Sequence, residues 1–143
     1  IFSKFFENFE IHRKMSIKKK IIKIAIDSPA AAGAGTLAKK ISNHYNLYYL
    51  DTGKIYRFIA YLKIRYPKKF NYNFVKNHIK KLRVKELKKK KLISDEVGLE
   101  ASIIAKKKNI RKLVHSFQIR CAYKPPKNYD GSCKDGRDIT YNI

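Results

Sequence analysis

Acidic residues are scarce in this chain. Asp and Glu number 11 against 34 Lys and Arg, for a formal net charge of +23 and a pI near 10.1. Such an imbalance points towards a polyanionic partner such as nucleic acid. The excess is nevertheless scattered: 27 of the 34 cations are Lys, spread along the chain, and Ile, Asn, Tyr and Phe are plentiful too. An AT-rich genome writes many proteins in this way, so a nucleic-acid partner is not expected. Cysteine is almost absent. Cys121 and Cys133 have neither metal-ligand spacing nor the density of a disulfide framework, so two reduced thiols are expected. No stretch is long and apolar enough to span a bilayer, and no signal-peptide pattern is present, so the sequence gives no membrane partner.

Methionine occurs once, at Met15, and Met15-Ser16-Ile17-Lys18-Lys19-Lys20 reads as a natural start. Residues 1–14 are therefore expected to be an upstream extension or a disordered tail, with an amphipathic helix carrying Phe2, Phe5, Phe6 and Phe9 as the alternative. What remains is one domain's worth of chain, 44% apolar and able to build a core.

The organising stretch runs from Ile21 to Ala38. An Ile-rich run through Ile26 has the content of a buried parallel strand. Small residues and Gly follow, and then a helical pattern with Leu37, Ile41 and Tyr45 at four-residue spacing. A strand feeding a helix through a tight loop leaves free N–H groups and a helix dipole that favour an anion, typically phosphate. The P-loop pattern asks for G-x-x-x-x-G-K. Here Ser28 stands at its first Gly and Ala34 at its Lys. On the pattern alone, a phosphate loop and an ordinary strand–turn–helix remain open.

Downstream, Leu47–Leu50 reads as a short buried strand, and Asp51-Thr52-Gly53 turns the chain into a helix capped by Thr52 or Asp51. That helix carries an inward stripe of Ile55, Phe58, Ile59 and Leu62 and ends at Pro67. Tyr56 and Arg57 lie off the stripe near a strand's carboxyl end, where open α/β sheets bind ligands. They can stack on a ring and pair with phosphate, or be plain surface. Residues 68–95 predict a short helix with Val75, Ile79 and Leu82 inward, then a solvated Lys run. Asp95-Glu96 opens a helix with Val97, Ala101, Ile104 and Ala105 inward, and Asn109 caps the next. In that one Ile110, Leu113, Val114, Phe117 and Cys121 face the core, with Arg111, His115 and Gln118 opposite. Tyr129-Asp130-Gly131 reads as a turn, and Asp135-Gly136-Arg137-Asp138 as a further polar turn with site potential.

Taken in order, IAIDSPAAAGAGTLAKKI, YYLDTGKIYR, EVGLEASIIAKKKNIRKLVHSFQ and DGRDI resemble the bacterial cytidylate kinase family, over about residues 17–143. The resemblance implies an α/β, P-loop NTPase-type three-layer fold with a parallel sheet, incomplete here. Residues 15–143 would form a truncated nucleoside monophosphate kinase domain, with 68–95 as a reduced acceptor-binding insertion. It implies ATP-dependent phosphorylation of CMP or dCMP with Mg2+ by a cytoplasmic monomer. Ser28, Pro29, Ala30, Ala31, Ala32, Gly33, Ala34, Gly35 and Thr36 would hold the donor phosphates. Thr52, Tyr56 and Arg57 would line the acceptor pocket, with Tyr56 against the ring and Arg57 on the phosphate. Ser102, Arg111 and Asp138 would read the cytosine edge. Arg137, on phosphate, and Asp138 are the catalytic candidates; no metal ligand is assigned.

Three departures bear on activity. Ser28 would strain the loop if its position needs positive φ. Ala34 removes the cation that steadies the transferring phosphoryl group, and Lys39 and Lys40, further along the helix, are expected to point away. DGRDI is followed by Thr140-Tyr141 in place of Gly-Thr, and the family's Arg-rich lid is not in this sequence. Two alternatives follow: a truncated, catalytically inactive nucleotide-binding remnant, and a basic nucleic-acid-binding module.

Overall fold

The computed structural model describes residues 20–29 and 32–136. The tail 1–14, Ala30, Ala31, Arg137 and Asp138 lie outside the described residues. Three strands form a parallel sheet: β1 (Ile22–Asp27), β2 (Leu47–Asp51) and β3 (Gly131–Gly136), in the order β1-β3-β2. The helices are α1 (Ala34–His44), α2 (Gly53–Arg65), α3 (Tyr72–Lys81), α4 (Asp95–Ile104) and α5 (Lys108–Tyr123). Two 3-10 turns, Val84–Lys88 and Lys90–Leu92, join α3 to α4. Helices on both faces of a parallel sheet make the three-layer α/β arrangement. Among the described residues no helix is long and apolar enough to cross a membrane.

The central strand is the one the sequence hid. β3 reads Gly-Ser-Cys-Lys-Asp-Gly, with no apolar run; its first residue, Gly131, and its last two, Asp135 and Gly136, were expected in turns. It is central because its residues are small where the neighbours crowd in. A Cβ on Gly131 would lie 1.9 Å from the Ile22 carbonyl oxygen, so no larger residue fits that register. Ser132 and Cys133 are fully buried, and Lys134 is only 1% exposed.

α1 covers one face of the sheet and turns Ala38, Ile41 and Ser42 towards it, around Leu47 and Cys133. This differs from the expected stripe: Leu37 and Tyr45 are exposed. The small side chains at 38 and 42 let the helix approach closely, and a reading that follows large residues misses that face. The main core lies on the other side, where Leu50, Ile55, Ile59, Val75, Ile79, Val97, Ile104, Val114 and Phe117 pack. The inward stripes expected for α2, α3 and α5 are found there. Leu87 and Leu92 are buried within the lysine-rich stretch, so that segment is pinned to the body by two anchors. Gln118, expected opposite the core face, is buried as well.

Caps set the helix starts. The Asn71 side chain accepts from the Phe74 N–H, and Ser94 Oγ accepts from Val97. Asp51, not Thr52, caps α2, its Oδ1 accepting from the Lys54 N–H at 3.3 Å. α5 starts one residue before Asn109, from Lys107.

Candidate functional site

The three strands run parallel, so their carboxyl ends meet at one edge of the sheet. Asp27 pairs with Gly136, and Asp51 with Asp135. The loop leaving β1 rises from this edge. The Ser28 N–H donates to the Gly136 carbonyl at 3.3 Å, and Ser28 Oγ donates to the Pro29 carbonyl at 3.0 Å. The Ala32 N–H reaches back to the Pro29 carbonyl at 3.4 Å. Gly33 sits at φ +81°, the left-handed conformation that glycine takes most readily, and α1 starts at the next residue. Ser28 is not among the residues with positive φ, so its replacement of the first loop Gly causes no backbone strain.

The first turn of α1 has no acidic residue, and no side chain caps it. The Leu37 N–H makes the first helical bond, to Gly33. No described residue accepts from the N–H groups of Ala34, Gly35 and Thr36, which open on the same edge as the strand ends. Free donors at the positive end of a helix dipole suit an anion.

Carboxylates face this helix start. A Cβ on Gly35 would lie 3.3 Å from Asp135 Oδ2 and 3.5 Å from the Tyr49 hydroxyl, so α1 comes down almost onto the ends of β2 and β3. Burial raises the Asp135 pKa, the nearby Asp51 charge raises it further, and a hydrogen bond from Tyr49 pulls it down. The Tyr49 pKa is also raised, first by burial and then by Asp51 and Asp135. Asp135 Oδ1 is buried without a hydrogen-bond partner. Tyr49 was not singled out from the sequence, and Asp135 entered only as the first residue of a polar turn with site potential. A signal was present: each strand ends on or just after an Asp, at Asp27, Asp51 and Asp135.

The acceptor-side candidates are only partly brought together. Thr52 is buried, and its Oγ1 donates to the Asp135 carbonyl at 2.6 Å, tying the start of α2 to β3. Tyr56 is half-buried. Burial raises its pKa and the Arg111 charge lowers it, so these two candidates, one on α2 and one on α5, are neighbours. Arg57 turns to α4: its Nη1 donates to the carbonyls of Leu92 at 3.0 Å and Ser94 at 3.2 Å. Its Nη2 lies 2.8 Å from where a Cβ on Gly98 would stand, so Gly98 gives the guanidinium its room. Ser102 is exposed, and its hydroxyl donates to Leu99 of its own helix. A cleft of about 670 Å3, lined by Lys81, Arg83, Lys85, Glu86 and Lys89, shares no residue with this edge.

A family profile described as Cytidylate kinase matches residues 24–143. The chain belongs to the cytidylate kinase family. Similar curated proteins include the cytidylate kinase of Bartonella tribocorum, 44% identical over 119 residues, which are 81% of this chain and 53% of that protein. The cytidylate kinase of Bartonella quintana is 42% identical with the same coverage of both chains. That of Mesorhizobium japonicum is 35% identical over 83% of this chain and 54% of its own length. The chain thus spans about half the length of the curated relatives it matches. The parallel sheet, the loop over α1 and the cluster at the strand ends are consistent with the P-loop kinase architecture that membership implies.

Proposed function

We propose that this chain carries the donor-phosphate loop and the pyrimidine-side residues of a kinase that moves a phosphoryl group from ATP to CMP or dCMP. One observation supports this most: the N–H groups at the start of α1, from which no described residue accepts, open on the same sheet edge as Thr52, Asp135 and α2, which carries Tyr56. In this reading the loop from Ser28 to Thr36 holds the donor phosphates. An oxygen of the acceptor phosphate attacks the terminal phosphorus of ATP, the bond to the leaving ADP breaks, and CDP or dCDP forms. Tyr56 and Arg111 offer a ring and a cation to the base. Ser102, Arg111 and Asp138 read the cytosine edge, where unpaired polar groups penalise a wrong base. Arg137 and the N–H groups of Arg57 not used by α4 serve phosphate.

The donor set suits Mg2+ accompanying ATP. Asp51 and Asp135 offer hard carboxylate oxygens, one of them buried and unpartnered, and Mg2+ takes one or two carboxylates beside phosphates and water. Bound there, the ion would offset charge on the phosphates.

An ATP- and CMP-dependent coupled assay tests the reading. CMP-dependent release of ADP is expected, and Ala34→Lys should raise kcat by roughly 100-fold, the scale of one well-placed charge-stabilising group. If neither protein turns over or binds CMP, the proposal fails. Ala34 itself favours a second reading, nucleotide binding without turnover. Calorimetry would then show ATP and CMP binding to the native chain, with turnover only after Ala34→Lys.

A further inference from the structure

Position 34 ends in a methyl group where a phosphate loop calls for a cation, yet a cation stands close by. Gly35 and Lys39 are four residues apart on α1 and share a face of the helix. Helical side chains lean towards the N-terminus of their helix, so Lys39 runs back towards Gly35, where no side chain blocks it. Gly35 is the residue pressed against Asp135 Oδ2 and the Tyr49 hydroxyl. Lys39 Nζ lies 5.9 Å from the centre of the Tyr49 ring, and the lysine charge acts on the Asp135 carboxyl from the same side. Its ammonium therefore belongs to the strand-end cluster and does not point away, as the sequence suggested. Both lysines are exposed, but Lys40, the next residue, is turned a little over a quarter of the way round the helix from Lys39.

We propose that Lys39 supplies the positive charge that position 34 lacks, its ammonium steadying nucleotide phosphates over the first turn of α1. The role rests on the nucleotide reading above and names a residue for it. Lys39 is a binding residue here.

Binding of ATP and of adenosine, measured by calorimetry, separates the possibilities. Lys39→Gln is expected to weaken ATP about tenfold, the worth of one charge-assisted contact. It should leave adenosine, which has no phosphate, within about twofold. Lys39→Arg should keep most of the ATP affinity, and Lys40→Gln should change little. The deciding comparison is Lys39→Gln made on Ala34→Lys, where the loss should shrink to about twofold because the charge has been restored. An equal loss in both backgrounds, or an equal loss for adenosine, would show that Lys39 only supports the fold and would overturn the proposal. ATP affinity untouched by Lys39→Gln would overturn it as well, while leaving the kinase reading intact. A native chain that binds no ATP overturns the kinase reading, and this role with it.

Discussion

Thr52 Oγ1 donates to the Asp135 carbonyl at 2.6 Å, across the seam between β2 and β3 where both strands end. The bond is partly buried and joins the start of α2, which bears Tyr56 and Arg57, to the strand that leads into Arg137. Thr52→Val keeps the shape and removes the donor. It should cost about 1–2 kcal/mol in urea unfolding, the scale of a buried hydrogen bond whose acceptor is left unpaired. Thr52→Ser should restore most of that. A valine variant as stable as the native chain would show that the bond does not hold the seam.

Gly131 is the tightest point of the sheet. A methyl group there would meet the Ile22 carbonyl oxygen at 1.9 Å, and backbone cannot give way as a side-chain tip can. Gly131→Ala should destabilise the fold by roughly 3–5 kcal/mol, at the severe end for a single substitution. Gly33→Ala offers a contrast. No atom lies within 4 Å of a Cβ there, so only its positive φ is strained and about 1 kcal/mol is expected. Thermal melts of the two variants should rank them in that order.

The Arg57 guanidinium fastens α2 to the start of α4 through two carbonyls. Arg57→Ala should cost about 1.5–3 kcal/mol, and Arg57→Lys should recover only part, because one ammonium cannot reproduce the planar fork. Gly98→Ala pushes on the same guanidinium from the other side. It should cost less, since a side-chain tip can shift, but it should speed hydrogen exchange over the first turn of α4. Unchanged exchange in Gly98→Ala would show that the clasp tolerates the methyl group.

Lys134 is buried in the central strand, and burial pulls its pKa down to about 8, from 10.5 for an exposed lysine. Between those two values the unfolded chain binds more protons than the folded one, so this residue makes stability rise as pH climbs from 8 to 10.5. Cys121 and Cys133 oppose it, since burial raises both thiol pKa values and keeps the folded chain more protonated in alkali. The lysine contribution is therefore read by difference. Lys134→Met, similar in length and uncharged, should be the more stable protein at pH 7 by an amount of order 3 kcal/mol, and the gap should close towards pH 10.5. A pH-independent gap would show that Lys134 has the same pKa in the folded and the unfolded chain.

Much of this was legible in the residues because large apolar side chains mark their own elements. Ile55, Ile59 and Leu62 announced α2, and Ile110, Val114 and Phe117 announced α5. Tertiary closeness hid the rest. β3 is central because Gly131, Ser132 and Cys133 are small enough to be crowded, and smallness between polar residues resembles a turn. α1 meets the sheet through Ala38 and Ser42 for the same reason, leaving the more conspicuous Leu37 and Tyr45 outside. At the site, the loop, Thr52 and Tyr56 were visible as a motif. That Arg57 serves α4, and that Lys39 and Tyr49 gather about Asp135, depends on register and helix phase, which no linear pattern carries.

The order β1-β3-β2 also has a temporal side. Among the described residues the two outer strands pair only with β3, so a nascent chain leaving the ribosome holds both of them without that partner until Gly131–Gly136 has emerged. Until then Ile22–Asp27 and Leu47–Asp51 are unsatisfied edges, open to mispairing with a neighbouring chain. The bond from the Ser28 N–H to the Gly136 carbonyl, where the loop leaves β1, forms only when β3 slots in.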